Sequence, residues 1–200
     1  MIRKSRLPSK LALAVRVISV PPVLVTAMML TLYFKRSEFF RNIQDLIFPI
    51  LFLGFIPLLA YPVSLIIPSI RKAGRAGQRN LAFVFSIAGY LGCQIWAFAS
   101  RVSKDLLLIC LSYFFSVVIL TVVNKVIHIK ASGHACSATG PLFYLVYSIG
   151  WKTLIPTLII AALIAWSSVY LKRHTLKELG TGCLVFFIAF GISFLLISVL

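Results

Sequence analysis

Long apolar stretches, separated by short segments that hold nearly all the basic residues, follow one another along this chain. A transmembrane helix needs about 20 consecutive, mostly apolar residues. Hydrophobic residues make up 60% of the chain and its mean hydropathy is +1.02, which is more apolar surface than a water-soluble domain of 200 residues can bury. The sequence therefore predicts an all-α fold, a polytopic integral membrane helical bundle.

Seven such stretches are long enough to be read as spans, or six spans if the first two are partly re-entrant. Pro21-Pro22 lies inside the first stretch and should kink it. We expect a basic amino-terminal tail over residues 1–10 and a single membrane-embedded domain over residues 11–200. The predicted spans are Leu11–Phe34, Leu46–Ile70, Leu81–Ser100, Leu106–Val123, His134–Ile149, Leu154–Leu171 and Leu179–Leu200.

The charge is strongly unbalanced, with 20 basic and 4 acidic residues and a net charge of +16. In a soluble protein this would suggest nucleic acid as a partner. Here the basic residues lie between apolar runs, where they set membrane topology, so we expect the bilayer as partner and no nucleic acid. The side that holds the amino-terminal tail has 13 lysines and arginines and the other side has 6. This bias predicts a multi-pass protein of the plasma membrane with a cytoplasmic amino terminus.

Acid–base chemistry has few candidates, because the chain holds only three histidines and four acidic residues. His134 opens one predicted span, and His174 follows 40 residues later. Two helical crossings of about 25 Å each, joined by a short turn, use up that interval. The spacing therefore predicts that both histidines lie at the same face of the membrane.

The residues around this histidine pair suit phosphoryl transfer without a metal ion. His174 and Glu178 are four apart and share one helical face, so the carboxylate can fix the imidazole tautomer. Ser132 and Gly133 stand at the start of a helix, where free N–H groups bind anions. Positive charge at the same level comes from Lys125, Lys130 and Arg173.

Ser132-Gly133-His134, followed by Tyr170-Leu-x-x-His174-x-x-x-Glu178, resembles the type-2 phosphatidic acid phosphatase superfamily, which includes lipid phosphate phosphatases and haloperoxidases. The resemblance covers roughly residues 124–182 and implies a phosphatase-like domain that works through a phosphohistidine. It implies His174 as nucleophile, Glu178 as its orienting partner and His134 as general acid. It further implies a lipid phosphomonoester or diphosphate substrate, isoprenoid or glycerolipid, with no cofactor and no metal. The phosphate would be bound by Lys125, Lys130, Ser132, Gly133 and Arg173.

The chain departs from the family pattern at three places. Glu178 stands where the family usually has Asp, and Ser168 stands where it usually has Arg. The usual first block, a Lys followed by Arg-Pro, is represented only by Lys125 and Lys130. Two alternatives to an active phosphatase therefore stay open: a catalytically lapsed family member, and a non-enzymatic membrane protein that transports or binds lipid.

Overall fold

The structure, a computed structural model, describes residues 6–199 and contains no β-strand within them. Arg3 and Lys4 of the predicted basic tail lie outside the described residues. Two short 3₁₀ turns, Ser37–Phe39 and Trp151–Thr153, connect longer helices. The helices are α1 (Arg6–Ile18), α2 (Pro21–Lys35), α3 (Gln44–Ile66), α4 (Pro68–Lys72), α5 (Gly74–Ala99), α6 (Lys104–Lys125), α7 (Gly133–Ile149), α8 (Leu154–Tyr170) and α9 (Leu176–Val199).

Within residues 6–199, five helical segments are long and apolar enough to cross a membrane, or six if the bent pair of α1 and α2 is one span. The long segments are α3, α5, α6, α9, and α8 together with its preceding 3₁₀ turn. The seven-span count is not confirmed, because α7 has 17 residues. At 1.5 Å per residue such a helix covers about 25 Å, less than the apolar thickness of a bilayer. The all-helical membrane bundle stands, with five to six spans.

The first predicted span is broken where the two prolines occur, as the sequence predicts. The axes of α1 and α2 differ by 58° across a short break. Val20 is extended (φ −66°, ψ 149°), the conformation favoured before proline, and Pro21 and Pro22 occupy the first two positions of α2. The bend therefore sets the direction in which α1 and its side chains leave the bundle.

Helix α6 lies at the centre of the bundle. Its apolar window is 56% buried, against 22–33% for the other four long segments. Gly89 of α5 lets the neighbouring helix α3 come close, because a Cβ at this position would lie 2.5 Å from the Phe52 carbonyl oxygen. The buried Tyr144 hydroxyl of α7 lies 2.7 Å from Ser112 Oγ and 3.0 Å from the Leu108 carbonyl oxygen of α6. These contacts hold the second half of α7 against the first half of α6, and the first residues of α7 lie at the opposite end of the bundle.

Several helix ends meet at that end of the bundle. Asn124, near the end of α6, accepts a hydrogen bond from the amide of Ala131, just before α7. The amide of Ser132 in turn donates to the carbonyl oxygen of Glu178 in the first turn of α9, at 2.9 Å. The ends of α6 and α8 and the starts of α7 and α9 are therefore brought together, which gathers the candidate residues of the sequence analysis.

Candidate functional site

The turn between α8 and α9 places His174. Helix α8 ends in a hydrogen-bonded Schellman motif, in which the amides of Arg173 and Lys172 donate to the carbonyl oxygens of Ser168 and Val169, both at 2.9 Å. Lys172 is in the left-handed region (φ 52°), at the position of this motif where glycine is usual. The motif reverses the chain within a few residues, so that His174 directly precedes α9.

His174 and Glu178 are joined in the arrangement that the four-residue spacing predicts. His174 Nδ1 lies 2.9 Å from Glu178 Oε2, and Lys130 Nζ lies 2.8 Å from the other carboxylate oxygen, Oε1. The Glu178 side chain is only 12% exposed. Because the carboxylate accepts a hydrogen bond from Nδ1–H, the lone pair of the imidazole is left on Nε2, which can act as a nucleophile or base.

The amino-terminal end of α7 is packed directly against α9. The Ser132 hydroxyl accepts from the amide of Ala135 at 3.2 Å and caps the helix, and Ser132 is fully buried. A Cβ added to Gly182 of α9 would lie 2.4 Å from the Ser132 carbonyl oxygen, so this approach requires glycine. A Cβ on Gly133 would meet only an ordinary contact at 3.4 Å. Ser132 therefore serves the packing of the site in this structure.

His134 is held by a residue that the sequence analysis did not select. Its Nε2 lies 3.1 Å from Oγ of the buried Ser19, in the break between α1 and α2. The same hydroxyl donates to the carbonyl oxygen of Arg16, at 3.3 Å, and can therefore accept from His134 Nε2–H. His174 and Arg16 are both close enough to His134 to act on its charge. The two histidines thus lie at one site, and the break between α1 and α2 contributes to that site through Ser19.

The predicted phosphate-binding cations occupy three different settings. Lys130 is paired with Glu178, as described above, which gives it a positioning contact in this structure. Lys125 donates to Asn80 Oδ1 at 2.8 Å. Arg173 is exposed, and its charge acts on that of Arg16. Lys125 and Lys130 line a cavity of about 260 Å³ beside the site, together with Arg79, Phe83, Asn124 and His128.

Arg16 and Ser19 are the residues that sequence reasoning missed. Arg16 is the single charge inside the first apolar stretch, near its basic end, where a long side chain usually extends to the headgroups. Instead it is partly buried, and its Nη1 is buried without a hydrogen-bond partner. An ionisable residue within a membrane segment is a functional candidate by default, and this signal could have identified Arg16 from the sequence.

The described part of the chain contains no group of three or more His, Cys, Asp or Glu side chains placed to hold a metal ion. Comparison of the chain with family models, with curated proteins and with solved structures finds no match. The resemblance to the type-2 phosphatidic acid phosphatases therefore depends on the residues of the two motifs themselves.

Proposed function

We propose that this protein is an integral membrane phosphatase that hydrolyses a lipid phosphomonoester or diphosphate through a phosphohistidine. The observation that carries the proposal is the His174–Glu178 hydrogen bond, which leaves Nε2 of His174 as the free nitrogen. His174 and Arg16 both act on the charge of His134, and Arg173 acts on that of Arg16. Fixed cations and a nucleophile with an oriented tautomer are what phosphoryl transfer needs.

The proposed reaction has two steps. Nε2 of His174 attacks phosphorus, the bond from phosphorus to the lipid oxygen breaks, and His134 gives its proton to the leaving alkoxide. Water then attacks the phosphohistidine, His134 takes a proton from that water, and the N–P bond breaks to release inorganic phosphate. Glu178 accepts a hydrogen bond from Nδ1–H of His174 throughout and stabilises the positive charge that forms on the ring. Lys130 keeps the carboxylate in place.

The surroundings of the catalytic turn support a lipid as substrate. An apolar cavity of about 290 Å³ lies beside the turn that carries His174, at the end of α8 and the start of α9. Trp166 and Tyr170 pack against each other in its wall, with ring centroids 5.6 Å apart. A hydrocarbon chain next to the phosphate would fit this cavity, whether isoprenoid or glycerolipid. The lining residues are Ala165, Trp166, Val169, Tyr170 and Leu176.

We further propose that the protein lies in the plasma membrane with the site on the cytoplasmic side. The support is the uneven distribution of lysines and arginines between the two sides of the membrane. The side that holds the site has 13 of them, and the opposite side has 6. The amino terminus would then also be cytoplasmic.

The deciding experiment is phosphate release by the purified protein from a panel of lipid phosphates in detergent or nanodiscs. His174→Gln and His134→Gln should each abolish turnover and leave the thermal transition in place. His128→Asn is the matched control, because His128 is the third histidine, is exposed, and has a left-handed backbone (φ 61°) that asparagine tolerates. Near-normal turnover in both site variants would rule the phosphohistidine out.

The second candidate is a lapsed family member that binds lipid phosphate without cleaving it. Ser168, at the family's arginine position, is fully buried and its hydroxyl has no hydrogen-bond partner. The guanidinium that the family places there is therefore missing from this position. A wild-type protein that is inert on every lipid phosphate, but is stabilised by them, would favour this candidate.

A further inference from the structure

Arg16 stands out because it is a charged side chain without a counter-charge. Its Nη1 is buried and has no hydrogen-bond partner. Of its neighbours, Arg173 acts on its charge most and repels it, followed by the phenol of Tyr61 and then by Arg75, which also repels it. A buried guanidinium atom among like charges is unfavourable unless an anion is bound.

None of the acidic side chains within residues 6–199 pairs with Arg16. The chain has four acidic residues, and all four lie in the described range. Three of them already pair with another cation, and the fourth lies in the first turn of α6, at the opposite end of that helix from Lys125. The pairs are Glu38 with Arg36, Asp45 with Arg41 and Glu178 with Lys130, and the remaining acid is Asp105.

The position of Arg16 is fixed relative to the histidine pair. Ser19, one helical turn after Arg16, donates to the Arg16 carbonyl oxygen and contacts His134 Nε2. The break between α1 and α2, where the axes differ by 58°, contacts the start of α7 through Ser19 and His134. Arg16 therefore reaches the site from a different part of the chain than Ser168, the position at which the family carries its arginine.

We propose that Arg16 binds the phosphate of the substrate and supplies the guanidinium that Ser168 does not. This inference rests on the proposed function and names a further binding residue for it. In phosphoryl transfer, negative charge spreads over the equatorial oxygens of the phosphorus, and a fixed cation there stabilises the transition state. A guanidinium can bind two of these oxygens at once, which an ammonium group does not do.

The test compares Arg16→Gln and Arg16→Lys with Lys10→Gln in the full-length protein. Lys10 is an exposed residue of the same helix, so its variant removes the same charge away from the site. Two quantities are measured for each: kcat on the lipid phosphate that the wild type hydrolyses, and the shift in Tm caused by inorganic phosphate. The second measurement needs no turnover.

We expect Arg16→Gln to lower kcat by about 10²–10³-fold, with a smaller loss for Arg16→Lys and none for Lys10→Gln. Phosphate should raise the Tm of the wild type and of Lys10→Gln and leave that of Arg16→Gln unchanged. Without phosphate, Arg16→Gln should be at least as stable as the wild type, because the repulsion by Arg173 and Arg75 is removed. A general loss of structure would instead lower the Tm.

The outcomes separate this inference from the proposed function. An active wild type with an unaffected kcat and phosphate response in Arg16→Gln overturns the role of Arg16 and leaves the phosphatase standing. An inert wild type whose phosphate response is lost only in the Arg16 variants overturns the phosphatase and supports the anion site. Absence of any phosphate response in the wild type overturns the anion site. If Arg16→Gln does not fold, Arg16→Lys decides by the same two measurements.

Discussion

Replacing Gly182 by alanine should separate the two halves of the site. Gly182 lies on α9 where the helix touches the backbone before α7, and an added Cβ would be 2.4 Å from the Ser132 carbonyl oxygen. That oxygen belongs to the backbone and cannot turn aside as a side chain would. Restoring a contact of 3.4 Å requires the start of α7 to move away from α9 by about 1 Å.

The size of the effect follows from this displacement. His134 is carried by α7 and His174 by the turn before α9, so the movement changes the distance between the proposed acid and nucleophile. A misplacement of about 1 Å in a catalytic group can lower the rate about 10²-fold. Overpacking of this kind costs about 1–3 kcal/mol of stability. We therefore expect Gly182→Ala to fold with a lower Tm and to lose about two orders of magnitude in kcat.

The matched control is Gly180→Ala, two residues earlier on the same helix. A Cβ at Gly180 has nothing within 4 Å. Alanine is better than glycine in a helix by up to about 1 kcal/mol, so this variant should keep its kcat and its Tm should stay the same or rise. The assay is steady-state phosphate release with thermal unfolding of both variants. Equal kcat values for the two would refute the argument that the Gly182 contact sets the histidine pair.

Three further predictions follow from the site and its surroundings. Turnover should persist in EDTA, because the single carboxylate at the histidine pair, Glu178, already binds Lys130 and His174; activity that is lost in chelator and restored by Mg²⁺ would contradict this. A cysteine at the exposed Lys177, in a chain without its native cysteines, should resist an impermeant thiol reagent in intact cells, and ready labelling would reverse the proposed topology. Lys172→Gly should retain Tm and kcat because its backbone is left-handed, whereas Lys172→Val should lower the Tm by an amount that thermal unfolding can measure, and equal melting of the two would count against the turn geometry.

The parts of this structure that could be predicted are those that depend on spacing along the chain. The kink at Pro21-Pro22 follows from the missing N–H groups, and the meeting of Ser132 with Glu178 follows from two consecutive helices, α7 and α8, of the same length of 17 residues. The number of spans could not be obtained this way. Helix α7 is apolar along most of its length but is held among other helices, and composition alone does not distinguish such a helix from a spanning one.

The side-chain partners at the site were harder to predict than its location. The role of Lys130 as a partner of Glu178 depends on how the loop before α7 folds back on α9, which no periodicity encodes. The position of Arg16 depends on the angle at the proline bend, and a proline pair predicts a kink without its direction. Both cations were visible in the sequence, but the groups facing them were set by the tertiary structure.

The departures from the family pattern become mutually consistent under the proposed function. Glu178 uses one carboxylate oxygen for His174 and the other for Lys130. An aspartate is shorter by one methylene group, so its carboxylate would lie closer to the backbone of α9. Lys130, one of the two lysines left from the family's first block, therefore acts through Glu178, and the other, Lys125, donates to Asn80. With Ser168 also lacking a charge, the positive charge near the phosphate must come from elsewhere in the chain, and Arg16 is the cation whose buried atom lacks a partner.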